Sequence, residues 1–89
     1  MKTLKIEDLK IKNVKSAHSD LRTTKNAIER FNKRFESGRE IHEGQMNEYN
    51  IIMFCIESGK EVIADYLEAA VCFSRDNYEE ALETLKKGM

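Results

Sequence analysis

Val14, Ala17, Leu21, Thr24, Ile28, Phe31 and Phe35 recur at alternating spacings of three and four. That rhythm lines one face of an α-helix and does not suit the alternation of a strand. No proline interrupts it, and only Gly38, Gly44, Gly59 and Gly88 punctuate the whole chain of 89 residues. With so few breakers, the sequence is committed to helices. Asn13 or Ser16 can cap the start of the first one, and Gly38 suits the left-handed position just past its end. The stripe predicts a first helix about 36 Å long.

The segment 38–44 reads as a turn. Beyond it Met46, Tyr49, Met53, Ile56, Ile63, Leu67 and Ala70 keep the same rhythm, with Lys60 as its one break. A second stripe runs beside the first: Ile52, Cys55, Val62, Tyr66, Ala69 and Phe73, with Gly59 in phase. Because both stripes hold phase across Gly59, one long second helix is expected there. This holds even though a glycine costs about 1 kcal/mol against alanine inside a helix. Its wide apolar arc faces a first helix with only a narrow stripe, so one helix cannot cover it. A further packing partner is expected, and a chain of this size has only a marginal core of its own. Asp76 with Glu79 reads as a capping box before a short last helix through Tyr78, Ala81, Leu82 and Leu85. Residues 1–12, with Leu4, Ile6, Leu9 and Ile11, suit either a short helix or an extended arm, and strand pairing stays open. The expected fold is all-α: a long antiparallel helical hairpin with a short N-terminal arm or helix and a short C-terminal helix. It forms one helical domain, 1–89, assembled as a homo-oligomer.

The net charge of -1 conceals a division. Residues 1–39 hold eleven Lys/Arg against five Asp/Glu, a net of +6, and residues 40–89 hold four against eleven, a net of -7. The cations Lys15, Arg22, Lys25, Arg30, Lys33 and Arg34 lie off the apolar stripe, and Arg39 joins them in the turn. They can pair with the acidic half and set register, or they can clamp phosphates. A long nucleic acid is disfavoured because the acidic half repels an extended polyanion. No P-loop, dinucleotide fingerprint or nucleophile elbow is present, and His18 and His42 lack the spacing of helical metal ligands. No enzyme activity, cofactor or metal is therefore expected. Cys55 and Cys72 sit in apolar stretches without ligand spacing and read as buried free thiols of a reducing cytosol. No signal-peptide pattern opens the chain, and the longest apolar run, 51–56, is far short of a membrane span. A cytoplasmic protein without membrane contact is the expectation.

Two stretches resemble known families. Residues 64–85 carry small residues at Ala69 and Ala81 and aromatics at Tyr66, Phe73 and Tyr78. They look like a single tetratricopeptide-type helix–turn–helix, with Asp65 and Glu68 standing where that family is usually apolar. Ser37-Gly38-Arg39-Glu40-Ile41, followed by Ile52-Met53-Phe54, resembles the helical hairpin of phage anti-CBASS sponge proteins, the likeness covering 37–56. That resemblance implies a helical oligomer that sequesters cyclic nucleotides in pockets between protomers. The family's N-terminal tyrosine has no counterpart, the first tyrosine being Tyr49, so no binding residue is carried over by alignment.

The function expected is that of a non-catalytic binding or sequestering protein. Its specific form is an inhibitor that holds small phosphorylated, cyclic nucleotides between protomers. Arg22, Lys25, Arg30, Lys33 and Arg39 are the candidate phosphate ligands. The alternative is a protein–protein interaction module acting through the apolar face of the long second helix. Ile52, Val62, Tyr66 and Phe73 are its candidate interface residues.

Overall fold

The computed structural model describes residues 2–12 and 20–89. Val14, Ala17, Lys15, His18 and the two proposed caps, Asn13 and Ser16, lie outside them. In chain order the elements are a 3-10 turn at Ile6–Asp8, then β1 (Ile11–Lys12), α1 (Arg22–Glu36) and α2 (Glu43–Ser58). They are followed by β2 (Val62–Ile63), α3 (Ala64–Phe73) and α4 (Tyr78–Lys87). The protein is mainly helical, as its periodicity predicts. The strands form a two-stranded parallel pair, with Ile11 opposite Val62 and Lys12 opposite Ile63.

The first helix is shorter than its stripe. Leu21 adopts a left-handed backbone, φ 61°, immediately before Arg22, so α1 runs for 15 residues, roughly 22 Å. The N–H groups of its first three residues find side-chain acceptors, and the fourth makes the first bond of the helix. Arg22 N–H donates to Asp20 Oδ1 at 3.1 Å, and Thr23 and Thr24 N–H donate to the Glu68 carboxylate of α3 at 2.8 and 2.9 Å. Lys25 N–H reaches the Leu21 carbonyl at 2.8 Å. The other end closes as the glycine predicts. Gly38, φ +70°, donates its N–H to Phe35 O, and Arg39 N–H donates to Arg34 O at 2.9 Å. This doubled closure is a Schellman motif.

The expected long second helix does not form. Gly59, φ 67°, ends α2 in the left-handed position, and Ser58 Oγ caps the Cys55 carbonyl at 2.9 Å while accepting Lys60 N–H at 3.2 Å. Glycine takes this conformation at little cost, whereas continuing the helix through it would cost backbone entropy. The chain then extends as β2 and turns into α3, which packs against α1, α2 and α4. The wide apolar arc is thus folded back on its own chain. Ile51, Ile52, Val62, Leu67, Val71 and Leu85 are fully buried, with Phe31 stacked on Phe35 and tilted against Tyr49 at 4.5 Å. Covering the arc from within removes the sequence argument that a second subunit must do so.

The expected Asp76–Glu79 capping box does not form: Asn77 is the N-cap of the last helix, and its side chain donates to Glu80 Oε2 at 2.8 Å and not to the backbone. At the other terminus the arm is tied down through the backbone of Leu4. Asn32 of α1 accepts Leu4 N–H through Oδ1 and donates Nδ2 to Leu4 O, both at 2.8 Å. That clasp seats Leu4 and Leu9 in the core and brings β1 to β2.

Candidate functional site

The last turn of α1, the turn after it and the first turn of α2 enclose a cleft of about 550 Å³ lined by Arg30, Lys33, Arg34, Ser37, Arg39 and Gln45. Helix periodicity puts Arg30, Lys33 and Arg34 on one face, three and four residues apart. The Schellman closure turns the chain back so that Arg39 lies by Arg34, whose carbonyl its N–H binds. Arg34 Nη1 then donates to Glu40 O at 3.1 Å and fixes the turn from the side. Gln45 Oε1 accepts the N–H of His42, the N-cap of α2, at 3.3 Å, and holds the far wall.

Four cations line this cleft and no carboxylate does. One neighbour moderates it. Glu48 of α2, 4 % exposed, faces Arg30 Nη2 at 3.6 Å and Arg75 Nη2 at 3.2 Å. At 3.6 Å the Arg30–Glu48 contact is an ion pair without a hydrogen bond, whereas Arg75 donates to Glu48 Oε1. Among the described residues, the Lys33 ammonium and the Arg39 guanidinium have no hydrogen-bond or ion-pair partner. The helix dipole accounts for part of the cluster, since cations in the last turn of a helix gain about 0.3–1 kcal/mol each. It does not account for Arg39, which lies beyond the helix. The carbonyls of Lys33, Arg34 and Phe35 already accept bonds from Ser37, Arg39 and Gly38.

The structure separates the five candidate phosphate ligands. Arg30, Lys33 and Arg39 meet in the cleft. Arg22 stands at the opposite end of α1, in a cavity of about 650 Å³ shared with Asp20, Asp65, Glu68, Cys72 and Phe73. Lys25 lies on a third groove, of about 490 Å³, between α1 and the N-terminal arm, among Glu7, Glu29 and Glu36. Arg22 is surrounded by carboxylates and apart from the others, whereas Lys33 lines both the cleft and the groove that holds Lys25. Three lining residues, Arg34, Ser37 and Gln45, are not among the five candidates. Arg34 was legible from its spacing of four to Arg30. Gln45 was not, because only the cap it makes brings it there.

Of the four candidate interface residues, Ile52 and Val62 are fully buried inside the protomer and offer no surface. Tyr66 is 39 % and Phe73 62 % exposed. The two thiols differ as well. Cys55 is buried, and desolvation pushes its pKa up to about 12, whereas Cys72 is exposed and not the buried thiol expected from its apolar neighbours. His42 is exposed at the start of α2. Among the described residues no group of three or more His, Cys, Asp or Glu could hold a metal ion. No helix among them is long and apolar enough to cross a membrane. No protein-family model, curated protein or solved structure matches the chain.

Proposed function

We propose that this protein binds small phosphorylated ligands in the cleft between α1 and α2 and sequesters them without transforming them. The observation that carries the reading is the lining of that cleft, with Arg30, Lys33, Arg34 and Arg39 and no carboxylate within one cavity of about 550 Å³. This volume falls in the range of small-molecule sites. Guanidinium groups meet phosphate oxygens in pairs, and such charge-assisted bonds are roughly twice as strong as neutral ones. The lining holds no histidine, carboxylate or thiol that could act as base or nucleophile at a bound phosphate. The hydroxyl proton of Ser37 is directed to Lys33 O at 2.8 Å. Binding without turnover is the chemistry that such a set supports, and nucleotides, cyclic ones included, are the ligand class the reading starts from. Assembly of protomers around the ligand belongs to the same proposal.

Calorimetric titration at low salt, with a panel of cyclic di- and trinucleotides and nucleoside triphosphates, tests it. Micromolar binding is expected, weakening as salt rises. Lys33→Ala and Arg39→Ala should each weaken it about tenfold, the equivalent of one charge-assisted hydrogen bond at about 1.4 kcal/mol. Arg22→Ala, at the opposite end of α1, should leave it unchanged. If no member of the panel binds, the reading fails. A protein-interaction module then takes its place, favoured by the exposure of Phe73, 62 %, and Tyr66, 39 %, on α3. In that case Phe73→Asp, and not Arg39→Ala, would abolish the interaction.

A further inference from the structure

We infer that the cleft recognises its ligand by the charge density of terminal phosphates and does not read a nucleobase. This rests on the proposed phosphate-binding role and narrows it to one ligand class, compact polyphosphates. Recognising a base needs two things, a flat apolar surface to stack on and a set of donors matched with acceptors facing the base edge. Neither is present. No aromatic side chain lines the cleft, the nearby Phe35 being stacked on Phe31 with a centroid distance of 5.8 Å. The groups that do line it are donors almost throughout. Arg30, Lys33, Arg34 and Arg39 can only donate. Gln45 uses its acceptor on His42 N–H and is left with its amide N–H groups. Ser37 Oγ is the one side-chain acceptor, and its own proton is spent on Lys33 O. The backbone acceptors nearby, Lys33 O, Arg34 O and Phe35 O, are occupied by the helix closure.

Such a lining answers oxygen atoms that accept only, and it gains with every negative charge concentrated among the cations. A tripolyphosphate chain brings several charges into a few ångströms. A cyclic dinucleotide brings one per phosphodiester and holds them apart on a ring. The structure therefore reorders the ligands that the chain's charge pattern first suggests, putting linear polyphosphate ahead of cyclic diesters.

The experiment is a competition titration of the intact protein, free of divalent cations. The competitors are inorganic orthophosphate, pyrophosphate and tripolyphosphate, the four nucleoside triphosphates, and cyclic dinucleotides of adenine and guanine. Affinity should climb from orthophosphate to tripolyphosphate. The four triphosphates should agree within about threefold, and the cyclic dinucleotides should bind at least about tenfold more weakly than tripolyphosphate, as expected for charge-dominated recognition. Lys33→Ala and Arg39→Ala should weaken every polyphosphate by a similar factor. A preference of more than about tenfold for one base, or a cyclic dinucleotide that displaces tripolyphosphate, overturns the inference while leaving phosphate binding intact. Failure of every anion to bind overturns the inference together with the reading beneath it.

Discussion

The two ends of α1 meet the same problem with opposite results. At the N-terminus the helix presents free N–H groups and a positive dipole end, and two carboxylates, Asp20 and above all Glu68, answer both. Glu68 accepts Thr23 N–H, Thr24 N–H and Thr24 Oγ1–H, all within 2.9 Å, from a helix far along the chain. The helix donors are met, and the carboxylates that meet them leave this end acidic. At the C-terminus the carbonyls are closed by the backbone of 37–39, yet four cations gather beside them with one buried carboxylate, Glu48, in reach of one of them. Matched charge is explained by folding. Charge in excess of what folding uses is a reason to look for a ligand, because unpaired like charges held together repel one another and contribute nothing to stability.

The largest expected effect comes from breaking the matched end. Glu68→Ala removes the acceptor of three hydrogen bonds and leaves two helix N–H groups and the buried Thr24 hydroxyl without partners. Removing bonds to a charged group and stranding their donors costs about 2–4 kcal/mol in all. Urea unfolding should report a loss of that size with an unchanged slope, and the affinity of the basic cleft should not move. Glu68→Gln keeps one acceptor oxygen and should recover part of the loss. A stability unchanged by Glu68→Ala would mean that solvent or Asp20 replaces the cap, and the contrast between the two ends would lose its basis.

A smaller effect is expected where the C-terminal end closes. Gly38 has φ +70° and open space around a built Cβ, so Gly38→Ala introduces strain without a clash. It should cost about 1 kcal/mol. The same substitution disturbs the turn that delivers Arg39, so ligand affinity should fall along with stability. Gly59→Ala, at φ +67° and equally open, is the control. It should lose similar stability at the end of α2 without weakening the cleft.

These residues also mark how far the sequence could be read. The end of α1 was legible because it is local, with a glycine one turn past the last apolar position and a basic last turn. Its start was not, since the cap comes from α3 and Leu21 sits on the stripe but in a left-handed backbone. Glu68 stood out only as a departure from the tetratricopeptide-like pattern, and its cross-helix capping accounts for that departure. Periodicity also could not see the break at Gly59, because helix α3 resumes in phase after β2, and a stripe records phase without recording continuity. The same limit applies to the site. Arg22, Lys25, Arg30 and Lys33 share one helix and looked like one cluster, but α1 is 15 residues long and separates its ends by roughly 20 Å. Which cations meet was decided by the turn that brings Arg39 back.

The mildest test measures the potential at each end directly. Cys72 is exposed and lines the N-terminal cavity with Asp20, Asp65 and Glu68, so a thiol-disulfide reagent that attacks it samples the acidic end. Cys55 stays silent. It is buried, and with its pKa pushed up to about 12 it holds its proton throughout the neutral range, while only the thiolate reacts. Ser37→Cys places a second reporter in the basic cleft at an exposed turn position. A dianionic aromatic disulfide and a neutral pyridyl disulfide of similar size then give a rate ratio at each site, which cancels differences in accessibility. A local potential of about 1 kT changes the concentration of a dianion roughly sevenfold. At low salt the dianion should therefore be the slower reagent at Cys72 in the native chain, relative to a model thiol. It should be the faster one at the cysteine of Ser37→Cys, measured in a Cys72→Ser background. Raising ionic strength to 1 M shortens the screening length to about 3 Å, and the two ratios should converge from opposite sides. Ratios that agree at low salt would show that the two ends carry the same potential, and the excess charge at the cleft would then be neutralised within the fold.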